Sequence, residues 1–235
     1  MKTKIILTIF TTITLLAQMP ILTLSQTNDF APNSFSTFSA PQNLGATVNW
    51  EGTDNAPFVA PNGLSLYMSG NRAGGPGGGD IWVSQRPTLT SAWGAPQNLG
   101  SVVNTESLEN APTLSSDGKA LFFHSTRPGG TGGRDIYLAT RTNPNDDFGW
   151  TAPVNLTVVN STANESAPGY FEDPSTGSAT IYFSSDRTGG LGADDIYQST
   201  RNANGTFNTP TLITPLNSTA LDARPQVRLD GLKCL

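Results

Sequence analysis

The chain has 235 residues and a net charge of −5, from 13 lysines and arginines against 18 aspartates and glutamates. With 24 glycines, 17 prolines and only 13% charged residues, its composition is typical of a turn-rich β protein, and it lacks the basic surface that nucleic-acid binding requires. Its one cysteine, Cys234, excludes an intrachain disulfide.

The N-terminus has the pattern of a secretory signal peptide. A short basic start precedes a threonine-diluted apolar stretch over residues 5–17, and small residues follow before position 26. We predict a signal peptide over residues 1–25, a linker over residues 26–37, and a periplasmic or secreted protein without membrane insertion after cleavage. An uncleaved anchor over residues 5–24 is the alternative, although a glutamine and a proline interrupt that stretch.

One segment then occurs three times along the chain. Each copy begins with arginine, passes through a glycine-rich loop and ends on aspartate, isoleucine and an aromatic residue. The copies occupy residues 72–82, 127–137 and 187–197, so they lie 55 and then 60 residues apart. Such a period predicts repeated supersecondary units, each of which buries its face against the next.

The repeat extends in both directions from this segment. Upstream, an acidic residue precedes an Ala-Pro pair, then a turn and an apolar run follow; a fourth, imperfect copy begins at Asp222. The third copy has a longer turn over residues 173–177. Downstream, each copy closes on arginine, an aromatic residue and proline, and an additional closing segment over residues 38–45 nearly duplicates residues 93–100.

Each unit predicts four short strands between turns, and no apolar helical period is long enough for a helix. The fold class predicted is therefore all-β, a β-propeller of four-stranded blades with three complete repeats and a truncated fourth, open or partial. Ile136 and Leu138 should face one side of their strand and Tyr137 the other. The repeat cores cover about residues 54–100, 109–157, 165–214 and, in part, 222–235.

These repeats resemble the WD40-like PD40 repeats of bacterial envelope proteins, the class found in TolB-type propellers. The resemblance covers residues 38–235. It implies a propeller that serves mainly as a periplasmic or surface binding scaffold. Because that family is functionally mixed, the resemblance implies the fold more strongly than any activity.

No catalytic residues are predicted. The one histidine, His124, occupies the position of Ser69 and Ser184 in the other repeats, so we interpret it as a tolerated variation on a strand. A single histidine excludes a zinc site of two or three imidazoles, and no G-x-S-x-G elbow occurs. The glycine-rich loops match neither a dinucleotide fingerprint nor a calcium nonapeptide. We predict no metal and no cofactor.

The recurrent charged residues are predicted to be structural. Each loop aspartate should accept hydrogen bonds from the amides of its own glycine loop, and each arginine should pair with the acid upstream of Ala-Pro. The residues of these two structural sets are Asp80, Asp135 and Asp195, and Arg72, Arg127 and Arg187.

The same upstream acids suggest a ligand site. Asp54, Glu109 and Glu165 are expected near the channel entrance, as a negative rim that selects cationic or polyhydroxylated partners. We therefore predict a module that binds a protein or glycan without catalysis. A sialidase-like glycan hydrolase and a truncated, non-functional family member are the alternatives. The incomplete fourth repeat also predicts self-association through unpaired strand edges.

Overall fold

The computed structural model describes residues 39–227. The predicted signal peptide and linker, and the end of the fourth repeat, lie outside the described residues. The chain divides into one unit over residues 1–42 and a second over residues 43–235. The described part of the first unit contains no helix or strand, and the account below concerns the second. Between residues 39 and 227, no helix is long and apolar enough to cross a membrane.

Three sheets, each of four antiparallel strands in chain order, make up the second unit. Blade 1 consists of β1 (Asp54–Val59), β2 (Ser65–Gly70), β3 (Asp80–Gln85) and β4 (Gln97–Asn98). Blade 2 consists of β5 (Glu109–Leu114), β6 (Ala120–Ser125), β7 (Asp135–Thr140) and β8 (Val154–Asn155). Blade 3 consists of β9 (Glu165–Glu172), β10 (Ala179–Ser185), β11 (Asp195–Thr200) and β12 (Thr211–Leu212).

These sheets confirm the predicted fold class, the three complete blades of a partial β-propeller. A short 3₁₀ helix, Thr214–Leu216, follows β12. The fourth copy then begins as the others do, because the Asp222 amide donates to the Asp194 carbonyl at 2.9 Å. The Glu109 amide donates in the same way to the Gly79 carbonyl of the preceding blade, at 2.8 Å.

Alternating side chains form two cores between neighbouring blades. Between blades 1 and 2, Tyr67 and Val83 share a buried cluster with Phe123 and Tyr137. Between blades 2 and 3, the opposite face of blade 2 supplies Ile136, and the half-buried Leu138 packs against the same cluster. The predicted register of β7 is confirmed, since its neighbouring side chains point into different cores.

The first face of blade 1 is covered by the segment that precedes it. Val48 is buried in a small cluster with Leu66, Met68 and Trp82. Described residues 39–50 contain a turn but no strand. The closing segment over residues 38–45 therefore forms no strand at residues 39–45, although residues 93–100, which it nearly duplicates, include β4; Phe38 lies outside the described part.

Candidate functional site

The first strands of the blades lie next to one another and carry an irregularity at the Ala-Pro pair. Strand pairing shifts between Asn55 and Phe58 in β1, and at the equivalent positions of β5 and β9. The residue before each proline has a positive φ, a conformation that side chains other than glycine rarely adopt. The φ values are 48° at Ala56, 55° at Ala111, 48° at Ala167 and 60° at Arg224.

This irregularity turns one backbone amide toward the preceding blade. The Ala111 amide donates to Ser69 Oγ at 3.0 Å, and the Arg224 amide donates to Ser184 Oγ at 2.9 Å. In the middle interface, the Ala167 amide donates to His124 Nδ1 at 3.2 Å. A histidine thus replaces serine as the acceptor between blades, which gives the variation at position 124 a structural role.

A cavity of about 500 Å³ opens where these strands meet. Apolar side chains and prolines supply part of its wall, including Phe58 and Leu108. The polar part of the wall comes from positions at which the repeats differ from one another. Those polar residues include Asn110, His124, Arg134, Ser166, Asp194 and Arg224.

The cavity wall has a mixed but locally positive character. Burial, followed by repulsion from Arg134 and Arg224, lowers the pKa of His124 from 6.5 to about 3, so this imidazole is neutral at ordinary pH. Burial and the neighbouring Asp186 raise the pKa of Asp194, whereas Arg134 lowers it. Of the described residues that line the cavity, Asp194 is the one carboxylate.

The three predicted rim residues are not among the described residues that line the cavity. Glu109 and Glu165 are fully buried. Glu109 accepts hydrogen bonds from the Thr105 amide and from Ser125 Oγ, each at 2.7 Å. Asp54 is partly exposed and accepts from the Trp50 amide at 2.6 Å. The ligand-binding role of these three acids stays a prediction, but their bonds are those of structural groups.

The predicted pairing of repeat arginines with these acids is present in all three blades. Arg72 contacts Asp54 at 2.6 Å, and Arg127 contacts Glu109 at 3.2 Å. The third pair, Arg187 and Glu165, is separated by 2.9 Å. Arg127 and Arg187 also lie over aromatic rings of their own blades, which holds the guanidinium groups in place.

The loop aspartates are all buried in their glycine loops. Asp135 accepts hydrogen bonds from the Thr131 amide at 2.8 Å and the Gly132 amide at 3.2 Å, and Asp195 makes the equivalent contacts. Asp80 occupies the same place; burial raises the pKa of its carboxyl and the Gly77 amide opposes that rise, but neither oxygen accepts a bond of full hydrogen-bond geometry. A Cβ on the second glycine of each loop would overlap the aspartate carboxylate, as at Gly130. This overlap, in addition to positive φ at Gly129, explains the glycine pair.

Sequence reasoning missed a recurrent asparagine at each junction between repeats. Asn104 accepts from the Ile81 amide at 2.8 Å and donates to the Ile81 carbonyl at 2.9 Å, as a paired strand would. Asn160 and Asn217 bond in the same way to Ile136 and Ile196. The signal in the sequence is an asparagine placed five residues before each acid.

A buried polar network between blades 1 and 2 was also missed. Arg141 and Asp147 form a salt bridge of 2.8 Å in which each side chain is only 1% exposed. Asp147 also accepts from Tyr67 Oη at 2.6 Å and Ser65 Oγ at 2.5 Å. Burial alone would raise the pKa of Asp147, but hydrogen bonds from Arg141, Ser65 and Tyr67 hold that pKa below its usual value.

The described residues contain no group of three or more potential metal ligands.

Comparison with known proteins supports the fold class. No protein-family model and no curated protein matches the chain. Among solved structures, the catalytic domain of a GH62 α-L-arabinofuranosidase from Coprinopsis cinerea aligns over 78% of this chain and 60% of its own, with 14% identity and a TM-score of 0.53.

Two further solved structures are similar at lower scores. The Hadza microbial sialidase Hz136 aligns over 74% of this chain and 39% of its own, with 14% identity and a TM-score of 0.49. A TolB-like protein from Agrobacterium tumefaciens aligns over 72% of this chain and 52% of its own, with 17% identity and a TM-score of 0.44. The chain thus spans 60% or less of these proteins. At 14% identity, the likeness to the arabinofuranosidase shows the fold alone.

Proposed function

We propose that this chain is an exported β-propeller binding module, related to PD40 repeats, that takes a glycan or a protein segment in the cavity between its first strands. The observation that carries the proposal is the location of the repeat-variable residues. Constant residues such as Glu109 and Asp135 are committed to hydrogen bonds within the fold. The polar residues of the cavity, by contrast, occupy positions that the fold does not constrain to one identity, as binding-site residues on repeat scaffolds do.

The size and composition of the cavity suit a ligand site. A volume of about 500 Å³ lies within the range of small-ligand pockets, which combine apolar walls with a few convergent polar groups. Asn110 and Ser166 supply uncharged polar groups on this wall. Amide and hydroxyl groups of this kind recognise sugar hydroxyls and peptide groups equally well.

Binding without catalysis is favoured by the carboxylates of the cavity. Most glycoside hydrolases need a pair of acidic residues across the scissile bond. Asp194 is the one carboxylate among the described residues that line this cavity. Glu109 and Glu165 are instead buried in ion pairs with arginines of their own blades. The hydrolase alternative draws support from the arabinofuranosidase structure, a likeness of fold alone.

A cavity-filling variant tests the proposal. Ser166→Trp places an indole in the cavity, and Thr188→Trp adds the same bulk on an exposed loop outside the cavity lining. Both variants are checked by thermal unfolding and then compared with wild type on a glycan array and in capture from envelope extract. We expect Ser166→Trp to lose the ligands that wild type and Thr188→Trp retain. Equal binding by all three proteins would contradict the proposal, and release of new reducing ends from bound glycans would favour the hydrolase.

A further inference from the structure

The cavity wall departs from the repeat at three nitrogen-bearing residues. His124 replaces the serine found at its position in the other two complete repeats. Arg134 stands where the others have glycine or aspartate, and Arg224 stands where they have alanine. In the other interfaces a serine hydroxyl accepts the inter-blade bond that His124 accepts here. Complete repeats elsewhere in the chain also form without an arginine at the positions of Arg134 and Arg224, so the fold does not require these three side chains.

His124 adds a hydrogen-bond donor to the lining of the cavity. Its Nδ1 accepts the Ala167 amide, so the proton of the neutral ring lies on Nε2. The residue is 7% exposed, and no described residue makes a hydrogen bond to Nε2. This N–H is therefore available to an acceptor on a ligand.

The two arginines of the wall are unpaired within residues 39–227. Neither the Arg134 nor the Arg224 guanidinium makes a salt bridge or hydrogen bond there, although both line the cavity and lie near enough to His124 to repel its proton. Arg127 and Arg141, by contrast, are both engaged with carboxylates. Arg134 and Arg224 thus place two positive charges on the wall against the one carboxylate of Asp194, so the wall near His124 carries a net positive charge.

We propose that this wall binds the carboxylate of an acidic sugar, a uronic-acid unit of an oligosaccharide. The inference rests on the proposed binding function and narrows its ligand. The planar guanidinium groups of Arg134 and Arg224 match a carboxylate in two-point hydrogen bonds, and His124 Nε2 donates a further bond. Sugar hydroxyls then face Ser166 and Asp194 on the same wall.

A sugar acid fits the observations better than an acidic protein. The chain carries a net charge of −5, which repels a large polyanionic partner but opposes a single carboxylate only weakly. Asp194 would also repel a run of acidic side chains, whereas it can accept hydrogen bonds from hydroxyl groups. The cavity volume suits one or two sugar units rather than an extended chain of residues.

Calorimetry on the full chain tests this inference with three matched probes: tri-galacturonic acid, its methyl ester and neutral galactotriose. We expect the free acid to bind at least about tenfold more tightly than the other two. Arg134→Gln and Arg224→Gln should each weaken its binding about tenfold, while Arg201→Gln, which removes the same charge outside the cavity, should not.

His124→Ser separates ligand binding from folding, because serine makes the inter-blade bond in the other repeats. We expect this variant to melt like wild type at pH 7 and to bind tri-galacturonic acid more weakly. Equal binding of acid and ester, or unchanged binding in all three variants, would overturn the inference. If neutral glycans bind and Ser166→Trp abolishes that binding, the proposed function stands and this inference alone fails. Preferential binding of tri-glutamate would also overturn it.

Discussion

The two ring nitrogens of His124 have different hydrogen-bonding roles, one as acceptor and one as donor. Nδ1 replaces the serine hydroxyl that receives the next blade's amide, and Nε2 is the donor that the ring adds to the cavity lining. The acceptor role of Nδ1 requires the neutral ring, which burial and two arginines enforce. A serine-to-histidine change at this position therefore preserves the contact between blades and adds a donor to the cavity.

Protonation of His124 should make stability depend on pH. The pKa of this imidazole is about 3 in the fold and 6.5 when exposed, so the unfolded chain takes up the proton first and stability falls as pH drops below 6.5. The charged groups that face the imidazole are Arg134 and Arg224. Between pH 7 and 4.5, wild type should lose about 2–3 kcal/mol more than His124→Ser. Urea unfolding of both proteins measures the difference, and parallel pH profiles would contradict it.

Loop aspartates should contribute to stability blade by blade. Asp135→Ala leaves the Thr131 and Gly132 amides without their acceptor and should lower the free energy of unfolding by about 1–3 kcal/mol. Glu51→Ala removes an exposed carboxylate and should change it by less than about 0.5 kcal/mol. Thermal unfolding compares the two variants. A wild-type midpoint that falls on addition of chelator would show that the loop holds a cation instead.

At the scale of the elements, each blade is joined to the next by polar contacts as well as by its core. The junction asparagines bond to the third strand of each sheet as a paired strand would. The acid five residues later accepts a hydrogen bond from the amide of the residue that follows each asparagine. These contacts recur in every interface. The Arg141–Asp147 network occurs in one interface only among the described blades, because the loop before Trp150 is longer than its counterparts.

Breaking this network should be more harmful than replacing it. Asp147→Ala leaves the Arg141 guanidinium buried without its partner and should destabilise the protein by about 3–5 kcal/mol. The double variant Arg141→Met, Asp147→Leu removes both charges and should recover much of that loss. Chemical denaturation of the single and double variants tests this expectation. A double variant less stable than Asp147→Ala would show that the ion pair itself supplies the stability.

At the scale of the whole molecule, the far face of blade 3 differs from the faces that neighbouring blades cover. Thr180 and Gln198 are half-buried there, at the positions of Ala120 and Leu138 in blade 2. Self-association through an incomplete blade stays a prediction, and this face is where a second copy would pack. Light scattering during size exclusion should show a dimer or larger species, and Gln198→Lys should shift it toward monomer. A compact wild-type monomer that resists proteolysis would contradict the prediction.

Much of the fold could be predicted from the sequence because each turn and strand pattern recurs in three repeats. Glycine pairs, Ala-Pro pairs and apolar runs fixed the strands and the β7 register. The acids could not be placed so well, since Glu109 and Glu165 are turned inward by hydroxyl groups and arginines distant in sequence.

Other parts of the site were outside the reach of sequence patterns. The partner of Asp147 in blade 1, Tyr67, is 80 residues away along the chain. The cavity wall was visible only as departures from the repeat at residues such as His124 and Arg224. His124 was interpreted as tolerated variation and Arg224 only as part of an imperfect fourth copy, because nothing in the sequence shows that the two residues line one cavity.

The central claim, that ligands enter the cavity between the first strands, is tested most directly by NMR of ¹⁵N-labelled protein during titration with the tightest-binding oligosaccharide of the glycan array. The account predicts the largest shift changes at the amides of Ala111, Ala167 and Arg224, which lie on the cavity wall and bond to the preceding blade. Shift changes confined to the outer strands, around Val154 and Phe207, would contradict it and place the ligand on the opposite edge of the blades.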